Sequence, residues 1–181
     1  MTQPVLILGA GLAGLSLARK LSAHSIPVRI FEASPQLRKP SYGITLLSWA
    51  YEPLANSLKL GSVADLRAAT ATDSLVGGLG VINTPFKDAL TGATLVSHSS
   101  SEQNEQSYRC SRFRLSTLLM QGLHVEVGHK LEKVQTNSTG VMVHFVGGQT
   151  AEGSLAVGAD GVHSAGQSVQ SYVPPKATCP G

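Results

Sequence analysis

Three glycines near the start of the chain, Gly9, Gly11 and Gly14, stand in the spacing G-x-G-x-x-G, and Glu32 follows 18 positions after the last of them. Each glycine has a task when the ligand is a dinucleotide. The first allows a tight turn, the second lets the backbone approach a pyrophosphate, and the third lets a helix pack close to a strand. The N-terminus of the following helix adds unpaired N–H groups and partial positive charge for phosphates. A carboxylate at position 32 can accept hydrogen bonds from an adenosine ribose and would repel a 2′-phosphate, which argues against NADP in this site. The same residues also fit a glycine turn that serves packing alone.

The elements that would position these residues are legible around them. Val5-Leu6-Ile7-Leu8 is a continuous apolar run, as in a strand buried on both faces of a parallel sheet. Leu12, Leu15, Ala18 and Leu21 then recur at helical spacing, with Arg19 and Lys20 in the later turns where the helix dipole favours cations. Pro27 leads into a second run, Val28 to Phe31, that ends at Glu32. The spacing predicts a right-handed β-α-β unit.

The pattern weakens from Ser34 to Gln106. Gly43 to Leu47 reads as a strand, Tyr51 to Leu60 or Val63 to Ala69 as helix, and Gly77 to Gly80 and Ser97 to Gln106 as loops. Ser111 is placed to cap a helix in which Leu115, Leu118 and Leu119 share a face, ending near Gly122. Val125 to Val127, Leu131 to Thr136 and Val141 to Phe145 read as strands of a β-meander, with Val141, Val143 and Phe145 on one face. Leu155 to Val157 is a further strand, and the tail from Gly166 to Gly181 has no periodicity.

Composition narrows the classes. Of 181 residues, 14 are Lys or Arg and 11 Asp or Glu, for a net charge of +3, and 14% are charged. So few charges, with 19 glycines, exclude a coiled coil, a charge-rich disordered chain and a polybasic nucleic-acid arm. The run Val5 to Ala18 lacks a basic segment before it and is broken by glycines, so it is not read as a signal peptide. No run approaches the ~18 to 20 apolar residues of a membrane span. Two distant cysteines, Cys110 and Cys179, make no disulfide framework, and the default setting is reducing and cytoplasmic. The six histidines show no metal-ligand spacing, so no metal is expected. Cys110 lies close to Arg109 and Arg112, cations that lower a thiol pKa, but no base accompanies it for nucleophilic work. Tyr42, Trp49 and Tyr51 fit either a ring-binding face or ordinary packing.

Two further segments extend the glycine motif. Arg112-Phe113-Arg114-Leu115 opens the middle helix, and Gly158-Ala159-Asp160-Gly161-Val162-His163-Ser164 follows a strand. With the glycine fingerprint before them, in this order, the chain resembles the FAD-dependent aromatic hydroxylases, single-component flavoprotein monooxygenases related to para-hydroxybenzoate hydroxylase. The resemblance implies an α/β fold: a Rossmann-like FAD-binding βαβ sheet, a β-meander, and part of an inserted substrate-binding sheet within residues 60–108. Residues 1–181 would be an FAD-binding domain, incomplete relative to the family, and 166–181 an irregular tail.

The resemblance further implies that Gly9, Gly11, Gly14 and Glu32 hold the ADP half of FAD. Arg112 would contact the flavin side, and Asp160 would serve the FAD pyrophosphate and reduced nicotinamide binding. A surface cation near a helix start and a turn aspartate are the plainer readings of those two residues. The implied activity is monooxygenation of an aromatic or other electron-rich small molecule, with NAD(P)H as transient reductant and O2 activated as a flavin C4a-hydroperoxide. The chemistry belongs to the flavin, so no side chain is assigned as acid, base or nucleophile. The chain departs from the family at Gln167, where an arginine is usual, and it has no Gly-Asp pair of the kind that closes over the ribityl chain. A nucleotide-binding chain without catalysis therefore stands as the alternative. An NAD-dependent dehydrogenase explains Gly9 to Glu32 but not Arg112 and Asp160 together.

Overall fold

The computed structural model describes residues 3–37, 42–82, 86–96, 107–136 and 138–161. The expected loop at Ser97 to Gln106, the positions Ser164 and Gln167, Cys179 and the tail 166–181 lie outside the described residues. In chain order the elements are β1 (Val5–Leu8), α1 (Leu12–Ala23), β2 (Val28–Glu32), β3 (Gly43–Leu46), α2 (Tyr51–Ser57), α3 (Val63–Thr70), β4 (Phe86–Lys87), β5 (Thr94–Val96), β6 (Tyr108–Ser111), α4 (Arg112–Met120), β7 (Val125–Val127), β8 (Leu131–Thr136), β9 (Val141–Phe145), β10 (Thr150–Gly153) and β11 (Leu155–Gly158). They fall into two compact units, one of residues 1–14, 26–37 and 125–181, the other of 15–25 and 38–124.

The first unit is built on a four-stranded sheet in the order β11-β1-β2-β7. Its pairings are all parallel, with Leu8 beside Phe31 on one side and Gly158 on the other, and Glu32 beside Val127. All four residues of β1 are buried, as a doubly covered strand requires. Strands β8, β9 and β10 form an antiparallel meander. On β9, Val141, Val143 and Phe145 alternate inward and join Leu6, Leu8 and Phe31 in one apolar cluster. Burying each such side chain contributes about 1.5–3 kcal/mol.

One strand differs from expectation. Val125–Val127 is not part of the meander but the edge of the parallel sheet, and the third meander strand is Thr150–Gly153. Across this edge the Arg29 guanidinium donates two hydrogen bonds of 2.8 Å to the Glu126 carboxylate, joining β2 to β7 beside their backbone ladder.

In the second unit, β3 pairs antiparallel with β6 and β4 with β5. The segment 60–108 contributes α3, the β4–β5 hairpin and the start of β6 to this unit. Its core gathers Tyr51, Ala55, Leu66, Tyr108, Cys110, Leu115 and Leu119. Ser62 caps α3 by accepting the Asp65 N–H at 3.2 Å while its hydroxyl donates to the Asp65 carboxylate at 2.9 Å. Ser111 caps α4 by accepting the Arg114 N–H. Leu115 and Leu119 bury the inner face of α4, as the spacing predicts, whereas Leu118 is half-buried.

Candidate functional site

The first unit brings Gly9, Gly11, Glu32 and Asp160 to one edge of the parallel sheet. The register places the carboxyl ends of β11, β1 and β2 side by side; Glu32 ends β2, and the loops leaving β1 and β11 carry Gly9, Gly11 and Asp160. That edge is where open α/β sheets bind ligands. Asp160 is exposed there, and its backbone nitrogen lies against Gly9.

The three glycines differ in what the fold itself demands. Gly9 has φ +115°, and a Cβ there would drive into the Ala159 carbonyl. The loop needs this close approach because Gly9 N–H donates to the Phe31 carbonyl and Ala159 N–H to the Leu8 carbonyl, each at 2.7 Å. Gly14 lets the chain at the start of α1 pass close to β1, since a Cβ would collide with the Gly9 carbonyl and stand 3.2 Å from Ile7 Cγ2. Gly11 has no such reason. Among the described residues, a methyl group there would meet only the Ala159 carbonyl oxygen, at an ordinary 3.8 Å. The open face before Gly11, at the start of α1, fits a pyrophosphate approaching the backbone.

Glu32 faces this loop. Its two carboxylate oxygens accept the Ala10 N–H and the Ser34 N–H, both at 3.0 Å, so the side chain is held in one orientation. Each oxygen keeps lone-pair capacity for a further donor, and ribose hydroxyls are donors. The main-chain carbonyl of Glu32 accepts the His129 N–H at 2.9 Å, and the His129 ring packs against Phe31 and Phe145. These contacts tie the acidic strand end to the meander.

Arg112 belongs to the second unit, at the first position of α4. Its guanidinium carbon lies 5.2 Å from the centroid of the Tyr42 ring, and its N–H donates to the Tyr42 carbonyl at 3.3 Å. The neighbouring Arg114 serves the fold instead, donating to the Ala71 carbonyl at 2.9 Å and to the Ser74 hydroxyl. Of the aromatic candidates, Tyr51 is core packing, while Tyr42 and Trp49 are exposed.

The flanking arginines do not activate Cys110. The thiol is buried, and burial raises its pKa, so it is protonated at neutral pH and unsuited to nucleophilic work. Tyr108 beside it is also buried, its hydroxyl 2.8 Å from the Thr70 hydroxyl. Sequence reasoning missed the Tyr42–Arg112 pair. The signal was an aromatic residue next to Gly43, but its partner follows only from the register that sets Gly43 opposite Ser111.

Residues 2–176 match a sequence family described as FAD binding domain. The FAD-dependent monooxygenase adaC of Aspergillus niger is 38% identical over 179 residues, covering 97% of this chain and 42% of that protein. The FAD-dependent monooxygenase nscC of Trichophyton equinum is 32% identical over 166 residues, 90% of this chain and 93% of that protein. Among solved structures, Klebsiella pneumoniae HpxO complexed with FAD and uric acid superposes with a TM-score of 0.72 at 22% identity, over 90% of this chain and 40% of that one. That likeness speaks for the fold. The chain spans about two-fifths of the length of the first curated relatives it matches. Among the described residues, no helix is long and apolar enough to cross a membrane. By sequence, the chain belongs to the FAD-dependent monooxygenases, as the N-terminal, FAD-binding portion of that family.

Proposed function

We propose that this chain holds FAD for a cytoplasmic monooxygenase that uses NAD(P)H and O2 to oxidise an aromatic or other electron-rich small molecule. The observation that carries the reading is the open face before Gly11, beside an oriented Glu32 carboxylate, on the carboxyl edge of the parallel sheet. In this reading Gly9, Gly11 and Gly14 with the start of α1 receive the pyrophosphate, and Glu32 accepts the adenosine ribose hydroxyls. Asp160, on the neighbouring strand end, serves the pyrophosphate and the nicotinamide. Arg112 serves the flavin side as a fixed cation. When bound, FAD supplies the redox and oxygen-activating chemistry, while these residues bind and orient it.

A second reading keeps the same nucleotide site on Gly9, Gly11 and Glu32. Here the chain binds FAD or an adenine nucleotide without turnover. Visible absorption of the purified chain, with and without added FAD, separates the two. A flavin band bleached by NAD(P)H in air, with oxygen consumed, supports the monooxygenase. A bound flavin that no nicotinamide reduces supports the binding protein, and a colourless chain that ignores FAD refutes both.

A further inference from the structure

Arg112 and Arg114 both sit in the first turn of α4, where no acidic residue accompanies them. The positive end of a helix dipole disfavours cations there. Arg114 escapes this conflict by spanning to the Ala71 carbonyl and the Ser74 hydroxyl, two contacts that tie α4 to the segment after α3. Among the described residues, Arg112 makes no comparable bridge. Among them its guanidinium lies over one ring, that of Tyr42, 5.2 Å from the guanidinium carbon, and its backbone N–H donates to the Tyr42 carbonyl at 3.3 Å, while its own carbonyl accepts the Ser116 hydroxyl. Tyr42 is 55% exposed and Arg112 is half-buried, so the stacked pair is not core packing. The pair follows from the ladder: Gly43 opposite Ser111 closes the β3–β6 register, and the next residue on each strand is Tyr42 or Arg112. A cation kept against local helix preference, on an aromatic plane, marks a place where local rules yield to function.

We infer that Tyr42 is a positioning residue for Arg112: its ring face carries the guanidinium and fixes its orientation for a flavin. The inference rests on the reading that Arg112 serves the flavin side of FAD. The ring provides a negative face to the cation, which offsets the dipole and limits guanidinium rotation. An exposed pair of this kind contributes a few-fold in affinity to a ligand that needs the cation in one place.

The test measures FAD and ADP dissociation constants for the 181-residue chain and for Tyr42→Leu, Tyr42→Phe, Arg112→Ala and the double variant Tyr42→Leu/Arg112→Ala. Tyr42→Leu weakens FAD about three- to fivefold and leaves ADP unchanged, as expected for one exposed cation–π contact. Tyr42→Phe, which keeps the ring, binds both like the parent. The double variant binds FAD no more weakly than Arg112→Ala. If Arg112→Ala weakens FAD while Tyr42→Leu does not, the inference falls and the flavin role of Arg112 stands. Equal losses of FAD and ADP in Tyr42→Leu, or additive losses in the double variant, also overturn it. If Arg112→Ala leaves FAD affinity intact, the flavin role of Arg112 fails and takes the inference with it.

Discussion

Arg19 Nε donates to the carbonyl oxygen of Leu119 at 2.8 Å, joining α1 to the last turn of α4 across 100 positions of sequence. The same guanidinium donates through Nη2 to the Leu118 carbonyl at 3.1 Å and to the Gln121 carbonyl. Carbonyls in a last helical turn lack intrahelical partners, and a cation there complements the dipole. Arg19 therefore serves the end of another helix, where its sequence position suggested service to its own. Arg19→Met keeps the aliphatic stem and removes the donors. It is expected to lower unfolding stability by about 1–2 kcal/mol, the scale of charge-assisted hydrogen bonds at a part-buried site. Urea unfolding of the two chains checks this, and equal midpoints would show that water caps α4 as well.

The glycines of the nucleotide loop separate folding from binding. Gly9→Ala forces a Cβ into the Ala159 carbonyl at φ +115°, a conformation that costs a non-glycine residue about 1–3 kcal/mol before the collision is counted. Gly11→Ala meets nothing closer than 3.8 Å and should cost less than about 1 kcal/mol in stability. With the pyrophosphate placed as proposed, its effect appears in the ligand, FAD affinity falling about tenfold, roughly 1.4 kcal/mol, because the methyl group fills that face. A Gly11→Ala chain that binds FAD like the parent would place the pyrophosphate elsewhere.

How far the sequence carried depends on whether an element's partner is local. The β1–α1–β2 unit was legible because its apolar run, glycines and terminal acid all lie within 32 residues. Val125-Glu126-Val127 reads the same in a meander or at a sheet edge, and its actual partner, Ile30–Glu32, lies far back in the chain. Tyr108–Ser111 has the period-two burial of a strand, yet four residues ending in a helix cap gave too short a run to identify. In the site, the motif positions for Gly9, Glu32 and Asp160 were visible, and strand order alone sets them on one edge. Tyr42 beside Arg112 was not, because register is a property of the folded sheet and not of either segment.

Glu32 offers the sharpest test of the adenosine end. Its carboxylate is held by the Ala10 and Ser34 N–H groups, so Glu32→Ala removes an oriented double acceptor without creating a collision. ADP affinity should fall about tenfold, equivalent to roughly 1.4 kcal/mol. The penalty against a 2′-phosphorylated adenosine nucleotide should shrink in the same variant, since the repelling charge is gone. Calorimetric titration with both nucleotides measures the two effects together, and unchanged ADP affinity would remove Glu32 from the site.

The buried Tyr108 hydroxyl sets a pH dependence for the second unit. Burial raises its pKa above the ordinary phenol value of about 10, and burial raises the Cys110 thiol above its ordinary value of about 8.5. Below these ordinary values both groups are protonated in the folded and unfolded chains, and their contribution to stability is intact. As pH rises through them, the unfolded chain releases protons that the folded chain retains, so stability falls by up to about 1.4 kcal/mol per pH unit for each group. Urea midpoints should hold from about pH 7 to 8 and decline from about pH 9 to 11. Tyr108→Phe should lose about 1 kcal/mol at neutral pH with the Thr70 hydrogen bond, and then decline less steeply above about pH 10. Thr70 itself stays satisfied through its 2.7 Å bond to the Leu66 carbonyl, which keeps the variant folded enough to measure. Parallel alkaline slopes in the two chains would mean that the Tyr108 phenol ionises as readily in the fold as out of it.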